Sequence, residues 1–131
     1  IEGKVMVKDL PAIWNLKYYE YLGIEVPSDD LGVLQDIHWS HGSFGYFPTY
    51  TIGSFYAAQF FNQAKIENPN LLNEIEDGNN KNLLTWLRKN IHNNGKRFDA
   101  NQLCKKISGE KLNFKYFKKY VIEKYSKIYS L

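Results

Sequence analysis

Two imidazoles, a carboxylate, a carboxamide and two phenols fall within a single stretch, Gly32-Val33-Leu34-Gln35-Asp36-Ile37-His38-Trp39-Ser40-His41-Gly42-Ser43-Phe44-Gly45-Tyr46-Phe47-Pro48-Thr49-Tyr50. Glycine recurs along it, and glycine permits tight turns and the close approach of a ligand while the rings place hydrogen-bond donors on that ligand. His38 and His41 are three residues apart, a spacing that on a helix puts both on one face, where they could chelate a metal with Asp36 or a distant carboxylate. A metalloprotease, however, places its general-base Glu between two His at i and i+4. That Glu is missing here, and Gly42 follows at once. The pair is therefore not read as a metal site.

Within this stretch, Gly32-x-x-Gln35-Asp36-x-His38-Trp39 resembles the last signature motif of the carboxypeptidase Taq family of zinc metallocarboxypeptidases. Ser43-Phe44-Gly45-Tyr46-Phe47-Pro48-Thr49-Tyr50 is similar to its continuation. The likeness extends upstream through Val7-Lys8-Asp9-Leu10-Pro11 and Tyr21-Leu22-Gly23-Ile24, and downstream to Glu123-Lys124-Tyr125-Ser126-Lys127-Ile128-Tyr129. Family members are several times longer, and their zinc-binding H-E-x-x-H helix has no counterpart in this sequence.

The resemblance implies a C-terminal piece of a zinc-dependent, or alternatively cobalt-dependent, carboxypeptidase that removes single residues from peptide C-termini. Its catalytic candidates are His41, Tyr46 and Tyr50. Peptide hydrolysis builds negative charge on the carbonyl oxygen, and an imidazole N–H or phenol O–H aimed at that oxygen lowers the barrier by about 3 to 4 kcal/mol. The competing account of these rings is packing beneath the loop. Tyr46 and Tyr50, four apart, share a face if the helix has begun by then. Asp36 and His38 are assigned behind a metal ligand supplied by another segment, the alternative being an Asp and a His that satisfy their own turn. Gln35 would fix a backbone or the substrate terminus. Carboxylate recognition calls for arginine, yet Arg88 and Arg97 lie outside the motif, so that arginine is expected from the remainder of the polypeptide. Trp39, Phe44 and Phe47 are read as anchors of the loop. This chain alone is expected to bind no zinc and to be inactive.

Composition is compatible with that reading. With 44% hydrophobic and 16% aromatic residues among 131, one domain with a real core is expected over 1–131. The chain opens at Ile1 without an initiator Met, which suggests a cut from a longer polypeptide. The lone Cys104 cannot form an internal disulfide, and no apolar run approaches the roughly 20 residues of a membrane span. A cytoplasmic location is expected from the single cysteine and the family. A net charge of +3 is too small to argue for nucleic acid. The lysines of the last helix, interleaved with Glu110 and Glu123, read as a solvated face. Peptides and the rest of the polypeptide are the expected partners, with a homodimer left open. The competing function is a self-contained helical module that grips a peptide or protein without hydrolysis. A small basic nucleic-acid binder is the third.

The elements that must position the loop are helical. Asp9 as N-cap, Pro11 in the first turn and Gly23 as stop bound a helix over about 10–22, with Ile13, Leu16, Tyr19 and Leu22 or Tyr21 on its apolar face. A short helix from Val33 to about Ile37 ends near Trp39, and an irregular glycine loop occupies about 38–50. From Pro48 or Thr49 a helix runs to Asn68-Pro69 and, being apolar round most of its girth, is expected to be largely buried. Pro69 then opens a short helix that Asp77-Gly78 ends. Another carries Leu83, Trp86, Leu87 and Ile91, and a further one, capped by Asp99, carries Leu103, Cys104 and Ile107 up to Gly109. The last has Phe114, Phe117, Tyr120, Val121, Tyr125 and Ile128 on one face. Lys4-Val5-Met6-Val7 hints at one strand without partners. The expected class is all-α, an irregular helical array.

Overall fold

The structure is a computed structural model that describes residues 2–130. Among the described residues there is no strand, and the chain is all-α. Among the described residues six α-helices follow in order: α1 (Leu10–Leu22), α2 (Pro48–Glu67), α3 (Leu71–Glu76), α4 (Lys81–Asn90), α5 (Ala100–Ser108) and α6 (Lys115–Tyr129). They fall into two compact units, Ile1–Pro48 and Thr49–Leu131.

In the first unit, Pro11 lies in the opening turn of α1 and Gly23 closes it, as expected. Asp9 does not cap it through its side chain. The residue already belongs to a 3-10 turn, Val7–Asp9, that runs straight into α1, so its backbone is helical rather than extended and the carboxylate is not over the free N–H groups. Residues 4–7, where one strand was suggested, instead bend at 4–5 and enter that turn at Val7. α1 turns Trp14 inward, whereas Leu16, Tyr19 and Leu22, expected on its packed face, are exposed.

The second unit is built on α2. Its buried residues are Gln59 and Ala64; Tyr50, Ile52 and Ile66 are exposed, so the expectation of a largely buried helix is not met in this chain. Ala64, Leu71 and Trp86 form the buried cluster where α2, α3 and α4 meet, with Phe60, Ile75 and Leu87 packed around it. Trp86 also donates its indole N–H to Glu67 Oε2 at 2.7 Å. Pro69 stands ahead of α3, whose N-cap is Asn70, rather than inside its first turn. The Asp99 cap is present in full: its carboxylate accepts from Gln102 N and the Gln102 side chain accepts from Asp99 N.

Gln59 is fully buried on α2 and every polar atom of its amide is engaged. Nε2 donates to Ser108 Oγ at 2.7 Å and to the Lys111 carbonyl at 3.2 Å, and Oε1 accepts from Asn113 N at 2.9 Å. The connection between α5 and α6 is thereby tied to the middle of α2. Beside it, Glu110 collects Lys115 Nζ and Tyr116 Oη, each at 2.6 Å on Oε1, and Asn113 Nδ2 at 3.0 Å on Oε2. Those three donors, the lysine foremost, hold its carboxyl at about 2, well below the ordinary 4.5. A depressed folded-state value stabilises the fold fully above about 4.5 and loses that contribution as pH falls towards about 2. The difference in melting temperature between the native protein and Glu110→Gln is accordingly expected to be largest near neutrality and to shrink across that window. Paired melts from pH 7 to pH 2 measure it, and a gap that widens on acidification would contradict the assignment.

Candidate functional site

The segment from Val33, read as one short helix, is instead two 3-10 turns, Val33–Gln35 and Ile37–His41, preceded by another at Asp29–Leu31. In chain order, Gly32 separates the first two because the chain passes itself there. A Cβ on it would stand 2.5 Å from Val26 Cγ1 and 3.2 Å from the Ser28 carbonyl oxygen, so only a hydrogen fits. The Gln35 side chain donates to the Asp30 carbonyl and staples the first turn to the second. Asp36 caps the third, its Oδ1 accepting from His38 N at 3.0 Å. Gly42, at φ 80°, ends that turn in the left-handed region and donates to the Trp39 carbonyl at 3.1 Å. The irregular stretch then runs only to Phe47, because α2 starts at Pro48.

This local folding gathers most of the candidates in the first unit. The same Asp36 oxygen that caps the turn lies 2.7 Å from His38 Nδ1. The two side chains are only 8% and 15% exposed. In a neutral imidazole, such a bond places the proton on Nδ1 and makes Nε2 the acceptor nitrogen. The His38 ring packs against Tyr46 with centroids 4.9 Å apart and planes 31° from parallel, and against His41 at 5.7 Å. Phe47 meets it edge-on at 5.7 Å. His41 and Tyr46 are exposed, Tyr46 by 46%. Trp39 is half-buried, edge-on to Trp14 of α1 at 6.1 Å and 6.3 Å from Phe44.

Gln35, Asp36, His38, His41 and Tyr46 thus lie within one unit, with Gln35 bonded to backbone. Tyr50 belongs to the second unit, in the first turn of α2. Tyr46 precedes that helix, so the argument that the two tyrosines share a helical face does not apply. Sequence reasoning missed Trp14, the partner that seats Trp39. The available signal was its spacing of four from Tyr18, with which it stacks at 5.6 Å.

The sequence profile of the carboxypeptidase Taq (M32) metallopeptidases matches residues 1–125. The chain belongs to this family. It is 41% identical over 129 residues to carboxypeptidase 1 of Bacillus subtilis (strain 168), covering 98% of this chain and 26% of that protein. It is 40% identical over 127 residues to thermostable carboxypeptidase 1 of Thermus thermophilus, covering 97% and 25%. The crystal structure of the M32 carboxypeptidase from Deinococcus radiodurans R1 superposes with a TM-score of 0.92 at 36% identity, covering 98% of this chain and 26% of that one. The chain therefore spans about a quarter of the length of the relatives it matches.

A metallopeptidase implies a divalent metal, and the donor set here does not fit one unaided. Among the described residues no group of three or more His, Cys, Asp or Glu is placed to hold an ion. Asp36 Oδ1 already accepts two hydrogen bonds from His38. Cys104 is buried on α5, where burial pushes its thiol upward. No helix among the described residues is long and apolar enough to cross a membrane.

Proposed function

We propose that the chain is the C-terminal portion of a metal-dependent carboxypeptidase that releases single amino acids from peptide C-termini, and that this portion supplies the loop which holds the substrate and stabilises the transition state. One observation carries the assignment of the loop: His41 and Tyr46, an imidazole and a phenol both exposed, pack on the same His38 ring. When water adds to the scissile carbonyl, the new C–O bond pushes the carbonyl π electrons onto oxygen, and donors preset around that oxygen stabilise it more than they stabilise the substrate. His41 and Tyr46 are assigned as those donors, with Tyr50 as a separate candidate on α2. Gln35, Asp36 and His38 hold the loop or the substrate behind them.

The metal, zinc in this reading with cobalt as the alternative, and the arginine that binds the substrate carboxylate come from the remainder of the polypeptide. That remainder and peptide substrates are the partners, a homodimer is a further assembly, and the cytoplasm is the location. The family membership and the names of the relatives support the reaction class. The test compares the full-length enzyme with the 131-residue chain. The longer protein is expected to release single C-terminal residues, to stop on chelation and to recover with zinc, while this chain alone does none of these. Cleavage by the isolated chain, or full-length activity indifferent to chelators, would overturn the reading.

A further inference from the structure

We infer that the apolar trough which α2 forms with α4 and α6 is the seat of a helix from the remainder of the polypeptide; the inference rests on this chain being one portion of a longer enzyme. Two hollows open on α2. One, of about 510 Å³, lies between α2 and α4, where Gly53, Ala57, Phe61, Leu83, Leu87 and Ile91 line it. The other, of about 310 Å³, lies between α2 and α6, with Ala58, Phe117 and Tyr120 on its walls. Ala57 and Phe61 border both, so the hollows are two sides of one strip.

Gly53 points to something that fills the strip. Inside a helix, glycine costs stability relative to alanine, and nothing in this chain calls for it there. Its φ is not positive, and a Cβ on it would meet no described group within 4 Å outside its own helix backbone. Gly32 is the contrast, since Val26 and Ser28 crowd that position. The space kept at Gly53 therefore serves a group from outside this chain.

Length and shape choose the occupant. The chain spans about a quarter of the relatives it matches, which leaves most of such a protein outside this structure. A second copy fits less well, because a two-fold pair sets the trough against its own image, and two concave faces leave the space between them empty. Apolar walls offer no hydrogen-bond partners, so the occupant must satisfy its own backbone, as a helix does and an extended segment does not. Helices pack with their axes about 8 to 10 Å apart, an approach that the small residues Gly53, Ala57 and Ala58 admit. Tyr50 stands one turn before Gly53 on the same helix. A helix seated in the trough thus also holds the turn that carries this candidate.

The test uses the full-length enzyme. Gly53→Cys and Ala57→Cys each put a small thiol in the trough, and its labelling by a water-soluble maleimide is followed by mass spectrometry of the peptide that holds it. In the native enzyme the thiol is expected to react about a hundredfold or more slowly than in the urea-unfolded enzyme, as a group released only by local opening does. That factor should be the same at every protein concentration. A photo-crosslinker attached to the Ala57→Cys thiol should join residues outside 1–131 that are spaced three and four apart, as one helical face presents them. Gly53→Leu should lower the melting temperature by several degrees, although leucine is the better helix former. Equal labelling of native and unfolded enzyme, or a Gly53→Leu enzyme as stable as the native one, overturns the seat. So does protection that fades on dilution, which assigns the trough to a second copy. Protection in a full-length protein that releases no C-terminal residues leaves the seat standing and sinks the reaction proposed above; unprotected thiols in an active, chelator-sensitive enzyme sink the seat alone.

Discussion

Tyr46→Phe in the full-length enzyme is expected to lower kcat and kcat/KM together, by on the order of a hundredfold, as loss of a single oxyanion donor does. The substitution removes one oxygen and keeps the ring, so the contact with His38 at 4.9 Å survives. Tyr46 is 46% exposed, so the substitution opens no cavity in a buried core. Melting temperature, metal content and KM should accordingly stay close to the native values. An interaction made only in the transition state leaves that signature, whereas a loosened loop would raise KM and lower stability at the same time. Steady-state kinetics with a blocked dipeptide and a thermal melt on the same preparation distinguish the two. Native turnover would remove Tyr46 from the chemistry and pass the question to His41 and Tyr50.

The largest effect on stability is expected from Trp86→Ala. Trp86 is 5% exposed at the meeting of α2, α3 and α4, packed with Ala64 and Leu71. Truncating a buried aromatic typically costs about 3 to 5 kcal/mol, part for transfer and part for the cavity left behind. The lost indole N–H also releases Glu67. Trp86→Phe keeps much of the volume and loses the donor, so it should fall between the native protein and the alanine variant. Urea unfolding followed by circular dichroism measures all three. A midpoint for Trp86→Ala equal to the native one would show that the contact between α2 and α4 is not what holds the second unit.

The parts of the fold that sequence specified well are those where one residue type has one physical use. Pro11 and Gly23 bounded α1, Asp99 opened α5, and Pro48, one of two starts offered, opened α2. The parts that differed are those where tertiary surroundings decide. The stripe of Leu16, Tyr19 and Leu22 on α1 has helical spacing, but spacing does not say which side meets the Val33–Gln35 turn; Trp14 takes the inward position. Gly32 was legible only as a glycine of the motif, and its role in dividing 29–41 into separate turns depends on Val26 and Ser28 arriving beside it, which no local pattern records. At the site, Asp36 and His38 satisfy their own turn, and the same carboxylate oxygen also meets the His38 ring that packs on Tyr46; a place behind a metal ligand belongs to the proposal. Gln59 went unweighted because it fell on an apolar stripe, where a lone carboxamide was itself the clue.

That carboxamide gives the second unit a sense of place. Leucine and phenylalanine faces tolerate sliding, since a neighbouring groove offers nearly the same contact, and α2 presents such a face over several turns. A buried amide does not tolerate it. Only one setting of the α5–α6 connection along α2 gives Gln59 its hydroxyl, its carbonyl and its N–H together, and a shift of one turn would strand all three in a dry interior at about 1 to 3 kcal/mol apiece. Gln59 therefore works less as an adhesive than as a vernier, rejecting near-miss dockings that the apolar residues on either side of it would accept.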